Sequence, residues 1–269
     1  MVPTRTSPHK PLVCGLVRHA SSRSSSSSQW LARQATDPFV KSRQSSPNTS
    51  NMSYVARSAF KLLELQQKTN LLRPGLIVVD LGAAPGGWVQ AAHPCLFPKG
   101  REDKGRARRG RILALDLLPL HKSLEGLDGV DFVQGDFLDP VTQTKLMDLL
   151  PRGGGGVDLV ISDMLANLSG NPLRDAQLSL DLCQAALQFS LVHLSPAVSA
   201  KAAQGGKKVK APVRLVMKSL RSGLSAEFEA VLKEHFTSVT WIKPASSRPE
   251  SREGFWVCKG FKQPTLVEA

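Results

Sequence analysis

From residue 76 onward the chain alternates strand-length apolar runs with helix-length stretches, and that order leaves few folds open. Strands are expected at 76–81, 111–116, 130–134, 157–162, 213–218, 239–243 and 254–258, and helices near 87–93, 141–150, 175–194 and 226–235. Several of the runs are apolar on both faces, as strands are when helices cover a sheet on both sides. Strand and helix in turn predict an open, mostly parallel, doubly wound α/β sheet. The last two runs are separated by ten residues that carry no helix. They are therefore expected to pair antiparallel, with the final strand inserted back into the sheet.

An apolar helical face begins just upstream, at Ala59, Phe60, Leu62, Leu63 and Leu65, with Ser53 or Ser58 as the expected N-cap and Pro74-Gly75 as the stop. Everything before residue 51 reads differently. Serine runs (Ser21-Ser22, Ser24 to Ser28) and scattered arginines precede the first acid, Asp37. Such a composition buries no core and matches an organelle transit peptide, so residues 1–50 are expected to be a mitochondrial address; the alternative is a retained basic arm that touches RNA. A secretory signal is disfavoured, because residues 11–17 are short and broken by Pro11 and Gly15. Residues 51–269 are expected to form one domain, since 269 residues with 41% hydrophobic content fill one full-sized core and not two.

The net charge of +13 is unevenly spread: residues 1–50 carry +6, residues 99–111 carry +5 and residues 201–210 carry +4. What remains is a nearly neutral body. Basic extensions around a neutral body are how a phosphate-backbone footprint is laid out, although solvated loops look the same in sequence. No run approaches the roughly 20 apolar residues of a membrane span. Cys14, Cys95, Cys183 and Cys258 lie far apart without metal-ligand spacing, so neither a structural metal nor a disulfide framework is expected.

Ligands of open α/β sheets bind beyond the carboxyl ends of the strands. The first strand ends there in Asp80-Leu81-Gly82-Ala83-Ala84-Pro85-Gly86-Gly87-Trp88. Gly82 suits a tight turn, while Gly86 and Gly87 are expected to let backbone approach a ligand at a helix start. The spacing is not G-x-G-x-x-G, which argues against a dinucleotide-dependent oxidoreductase. Asp80 repels phosphate and suits a cationic amino-acid or sulfonium ligand. Asp116 ends the second strand, where an acid accepts ribose hydroxyls, and Asp136 follows the third, where it can accept from an adenine amino group. Acids after three successive strands specify a nucleoside with a positive tail. S-adenosylmethionine fits that description.

A second set of residues is expected at the same edge: Asp163 after the fourth strand, Lys218 near the end of the fifth, Lys61 interrupting the first apolar helix, and Glu253 just before the last strand. Buried charges need partners or a job, and two cations with two anions can satisfy one another. Singly, each has a plainer reading: Lys61 as a surface pair with Glu64, and Glu253 as a solvated acid beside Arg252.

Arg57-Ser58-Ala59-Phe60-Lys61-Leu62, the Asp80–Trp88 loop, Ser162-Asp163-Met164, Lys218 and Ser251-Arg252-Glu253 stand in one order. In that order the chain resembles the FtsJ/RrmJ ribosomal RNA 2′-O-ribose methyltransferases over about residues 53–262. Residues 30–33 and 37–41 resemble the mitochondrial members, which methylate a uridine ribose of large-subunit rRNA. The resemblance implies a Rossmann-like class I methyltransferase fold with a seven-stranded, mostly parallel sheet and an antiparallel last strand. It also implies a catalytic tetrad of Lys61, Asp163, Lys218 and Glu253, with S-adenosylmethionine held by Pro85, Gly86, Gly87, Trp88, Asp116, Asp136 and Asp163. Two loops depart from the family: Leu165-Ala166-Asn167 replaces the usual Ala-Pro, and the basic stretch 201–210 replaces a Pro-Gly-Gly turn.

Methyl transfer is an in-line displacement that gains from near-attack geometry and from a base beside the hydroxyl. Lys218 is expected in that role. Burial and Lys61 push its pKa down while Asp163 and Glu253 push it up, so the sequence does not fix the sign. The expected partner is a splayed or single-stranded rRNA segment, met by a monomer. A tRNA ribose methyltransferase, or a ribosome-assembly factor that binds RNA, are the alternatives.

Overall fold

The computed structural model describes residues 53–98, 110–150, 156–195 and 211–262. The proposed transit segment and nearly all of both internal basic stretches fall outside them. The elements run α1 (Ser58–Thr69), β1 (Ile77–Leu81), α2 (Gly87–Leu96), β2 (Arg111–Asp116), a 3-10 turn (Lys122–Leu124), β3 (Val130–Gln134), α3 (Pro140–Met147), β4 (Leu159–Ser162), α4 (Pro172–His193), β5 (Val213–Leu220), α5 (Ser225–His235), β6 (Phe236–Ile242) and β7 (Glu253–Phe261).

The seven strands form one sheet in the order β3-β2-β1-β4-β5-β7-β6. The pairings from β3 through β5 are parallel, and β7 runs antiparallel to both β5 and β6. The expected topology is therefore found, including the inserted last strand. Every residue of β1, β4 and β5 is buried, which is why their sequence runs are apolar without alternation. One face packs Val79, Leu113, Val160, Leu215 and Trp256 against α4 and α5. The other packs Val78, Ile112, Ile161, Val216 and Val257 against α1 and α2. Strand order reverses around β1 and β4, so the carboxyl ends of those strands open a crevice.

Helix starts follow side-chain chemistry where it is present. Asn171 accepts from Leu173 N and Arg174 N at the head of α4, and Asp139 accepts from Val141 N at the head of α3, each with proline at the first helical position. The expected cap of α1 is corrected. Its N-cap is Arg57, with no side-chain cap, and Ser58 is already helical. β4 begins two residues later than expected, with Val157 instead making a lone bridge to Leu194. β6 begins earlier, directly after α5, because Phe236 is drawn into the core opposite Phe261. Among the described residues no helix is long and apolar enough to cross a membrane, and no group of three metal-ligating side chains occurs.

Candidate active site

A cavity of about 540 Å³ opens at the carboxyl edge of the sheet, between Gly82 and Ala84 after β1, Asp116 and Leu117 after β2, Asp136 and Leu138 after β3, and Asp163 to Asn167 after β4. Lys218 of β5 closes one end. The volume suits a small cofactor. Asp116 is held by Ala84 N on Oδ2 (2.9 Å) and Leu118 N on Oδ1 (2.8 Å), which aims it at the cavity mouth. Leu138 N fixes Asp136 through Oδ1 at 2.9 Å. Three of the acids expected to hold a nucleoside are thus brought to one cavity.

The glycine loop is placed differently from expectation. Pro85, Gly86, Gly87 and Trp88 are not among the residues that line this cavity. Trp88 is only 1% exposed; its ring packs on Phe255, and its indole N–H donates to Ser58 O at 2.9 Å. A Cβ on Gly86 would run into the Leu124 side chain, and one on Gly87 would lie 2.7 Å from Ser58 Oγ. What these glycines admit is the chain itself, namely the 3-10 turn and the head of α1. Gly82 meets its expectation, with φ of +78° and Met164 backbone against it.

Behind the cavity wall lies Asp80, fully buried, with neither oxygen accepting a hydrogen bond. Burial pushes its carboxyl well above the usual range, and the neighbouring charges of Asp163 and Asp116 push the same way. An orphaned carboxylate beside three more acids is chemistry for a cationic guest. Lys218 is the one cation in the cavity lining, and it is already paired, so the site offers nothing to a pyrophosphate.

At the same edge Lys218 Nζ stands 3.1 Å from Asp163 Oδ1, in ion-pair contact without the alignment of a hydrogen bond. Lys61 Nζ lies 2.6 Å from Glu253 Oε1. Burial pushes the Glu253 carboxyl up; the Lys61 charge and hydrogen bond, the Lys218 charge and the Ser247 hydroxyl together outweigh it and leave the group below the usual range. Neither plain reading holds. Lys61 does not pair with Glu64, whose carboxylate is bound by Ala245 N and Ser246 N, and Glu253 is the first residue of β7 rather than a solvated loop acid.

Known proteins fall in line with this geometry. A family model described as FtsJ-like methyltransferase matches residues 54–261. The chain belongs to that family. Proteins of the family are S-adenosylmethionine-dependent RNA 2′-O-methyltransferases, so this chain is an enzyme of that class. The ribosomal RNA large subunit methyltransferase E of Delftia acidovorans is 39% identical over 233 residues, covering 87% of this chain and 94% of that protein. The protein of the same name from Stutzerimonas stutzeri is 38% identical, covering 89% and 98%. A Plasmodium falciparum crystal structure described as a ribosomal RNA methyltransferase superposes with a TM-score of 0.59 at 22% identity, covering 78% of this chain and all of that one, a likeness of fold.

Three side chains of this methyltransferase escaped sequence reasoning. Asp175 of α4 accepts Ser169 N and Oγ at 2.7 Å each, and so pins the loop that forms the cavity's β4 wall. Ser247 donates to Glu253 Oε1 at 2.9 Å. Glu64 grips the loop that carries Ser247. Only Glu64 left a trace in the sequence, standing one helical turn beyond Lys61.

Proposed function

We propose that this methyltransferase places a methyl group on the 2′-hydroxyl of a uridine ribose in mitochondrial large-subunit rRNA. The observation that carries the reading is the Lys218–Asp163 contact at the end of a cavity walled by acids, with the Lys61–Glu253 pair beside it, close enough for the Lys218 charge to act on the Glu253 carboxyl. The bacterial relatives are named for large-subunit rRNA, and the Ser/Arg-rich, acid-poor first fifty residues supply the organelle address.

S-adenosylmethionine, when bound, supplies an electrophilic methyl on a positively charged sulfur. Asp116 and Asp136 would hold its ribose and adenine and Asp163 its charged end, while Pro85 to Trp88 would act from behind the lining by packing the loop that carries Gly82 and Ala84. Lys218 Nζ orients the ribose hydroxyl for in-line attack; the step uses its amine form, which takes the hydroxyl proton as the methyl leaves sulfur, and Asp163 pairs with the ammonium that results. Lys61 and Glu253 form the second wall of the acceptor pocket. The basic segments hold phosphates and bring the target segment to it.

Mapping 2′-O-methyl positions in mitochondrial and cytosolic RNA from cells with and without the protein tests the proposal. Loss at one large-subunit uridine is the expected result; loss confined to a tRNA overturns the substrate. Lys218→Ala is expected to abolish methylation with cofactor affinity near normal, and full activity would remove Lys218 from its role.

A further inference from the structure

α1 presents Arg57, Lys61 and Glu64 at helical spacings of four and three, so all three lie on one face of the helix. Lys61 reaches Glu253. The other two hold the loop between β6 and β7. Both Glu64 oxygens are used: Oε2 accepts Ala245 N at 2.6 Å and Oε1 accepts Ser246 N at 2.8 Å. Arg57 donates to Ser246 O at 2.6 Å. Farther along the loop, Lys243 Nζ closes a ring onto Pro249 O and Ser251 O at 2.8 and 2.7 Å.

The consequence falls on the next residue. Ser247, only 4% exposed, points its hydroxyl at Glu253 Oε1, the same oxygen that Lys61 holds. Backbone amides gripped by a carboxylate form charge-assisted hydrogen bonds that resist sliding. A loop held only at its strand ends leaves Ser247 free to turn away. Held at Ala245 and Ser246, it does not.

We propose that Glu64 is a positioning residue of the methyl-transfer site: its grip on Ala245 and Ser246 sets the Ser247 hydroxyl against Glu253, and thereby fixes the Lys61–Glu253 pair relative to Lys218. The inference rests on the tetrad reading above. The groups facing Glu253 are Lys61 and Arg57 from α1, Lys218 from β5 and Ser247 from its own loop. Removing the hydroxyl leaves the cations and withdraws one donor that favours the charged carboxylate.

The test uses the full chain with large ribosomal subunits from a bacterium lacking its own methyltransferase E. Glu64→Ala and Ser247→Ala are each expected to lower kcat by roughly tenfold to a hundredfold, as small misplacements of reacting groups do. Cofactor Kd and KM for the subunits stay near the parent's. In both variants the acid limb of the kcat–pH profile moves to higher pH, the double variant is no worse than the single ones, and Ser247→Thr restores rate and profile. Ser247→Ala removes one hydroxyl and carries the test if Glu64→Ala folds poorly. Lys218→Ala runs alongside. An inactive Lys218→Ala beside Ser247→Ala with parental kcat and profile overturns the positioning role alone. A fully active Lys218→Ala overturns the tetrad, and the positioning role with it.

Discussion

At the residue scale the site is a balance of carboxylates. Asp80 is pushed above its ordinary range by burial and by Asp163 and Asp116, so its folded-state pKa exceeds its unfolded one. A raised carboxyl favours the fold at low pH and loses that contribution as pH rises through the folded value. The Tm gap between Asp80→Asn and the parent, both without cofactor, should therefore widen in the variant's favour from pH 5 to pH 8. Parallel curves would count against it. Glu253 is displaced the other way, so its contribution is present above the unfolded value of about 4.3 and fades as pH falls through the lower folded one. Glu253→Gln should cost about 1–3 kcal/mol at neutral pH by urea titration, and the deficit should shrink toward pH 3. Gly86 shows how a motif misleads. In sequence it reads as room for a ligand, yet the room is taken by Leu124, and Gly86→Ala should cost about 1–3 kcal/mol through clash and a φ of +109°. No local signal distinguishes a glycine that admits a guest from one that admits a neighbouring turn.

Among elements, α1 is the most consequential addition to the sheet. It packs Ala59, Leu62 and Leu65 into the β1–β2 face, and it turns Lys61 toward a strand at the other end of the chain. Leu62→Ala should destabilise by about 2–5 kcal/mol in urea. It should also lower kcat, because the helix carries Lys61 of the proposed tetrad and Glu64, the proposed positioning residue. Period and order made β1 to β5 legible: β1, β2 and β4 are almost wholly apolar, while the edge strand β3 and the charge-bearing β5 were placed by their position between helical stretches. β6 and β7 were recognised with shifted ends. Their limits are set by cross-strand pairs such as Phe236–Phe261, which join residues far apart in sequence and are decided only when the sheet closes. The α1 cap failed because the helix begins at Ser58 itself, which leaves the cap position to Arg57, a side chain with donors only, and those go to Ser246 O.

For the molecule as a whole, the sequence sets basic segments around a nearly neutral body, and the proposed function assigns catalysis to the body and RNA binding to the segments. Replacing the four lysines of residues 201–210 with serine should weaken RNA binding and flatten its dependence on salt, while cofactor affinity stays unchanged by calorimetry. Unaltered RNA affinity across the salt series would place the footprint elsewhere. The acids that line the cavity, Asp116, Asp136 and Asp163, were legible because they stand at the ends of strands, an order the fold itself imposes, whereas Pro85 to Trp88 lie outside the lining. The loop contacts of Glu64, Ser247 and Asp175 were not, because hydrogen bonds made by loop residues, to backbone or to another side chain, leave no periodic mark in sequence. One feature of the sheet also sets a timetable. The Glu64 contacts with the β6–β7 loop span 181 and 182 residues, and β7 is the strand formed latest along the chain and the one that joins β6 to the sheet. Contacts of such range form late, after the entropy of closing long loops has been met. During synthesis, then, every strand that lines the cofactor cavity has been made before β7, which carries Glu253, can join the sheet.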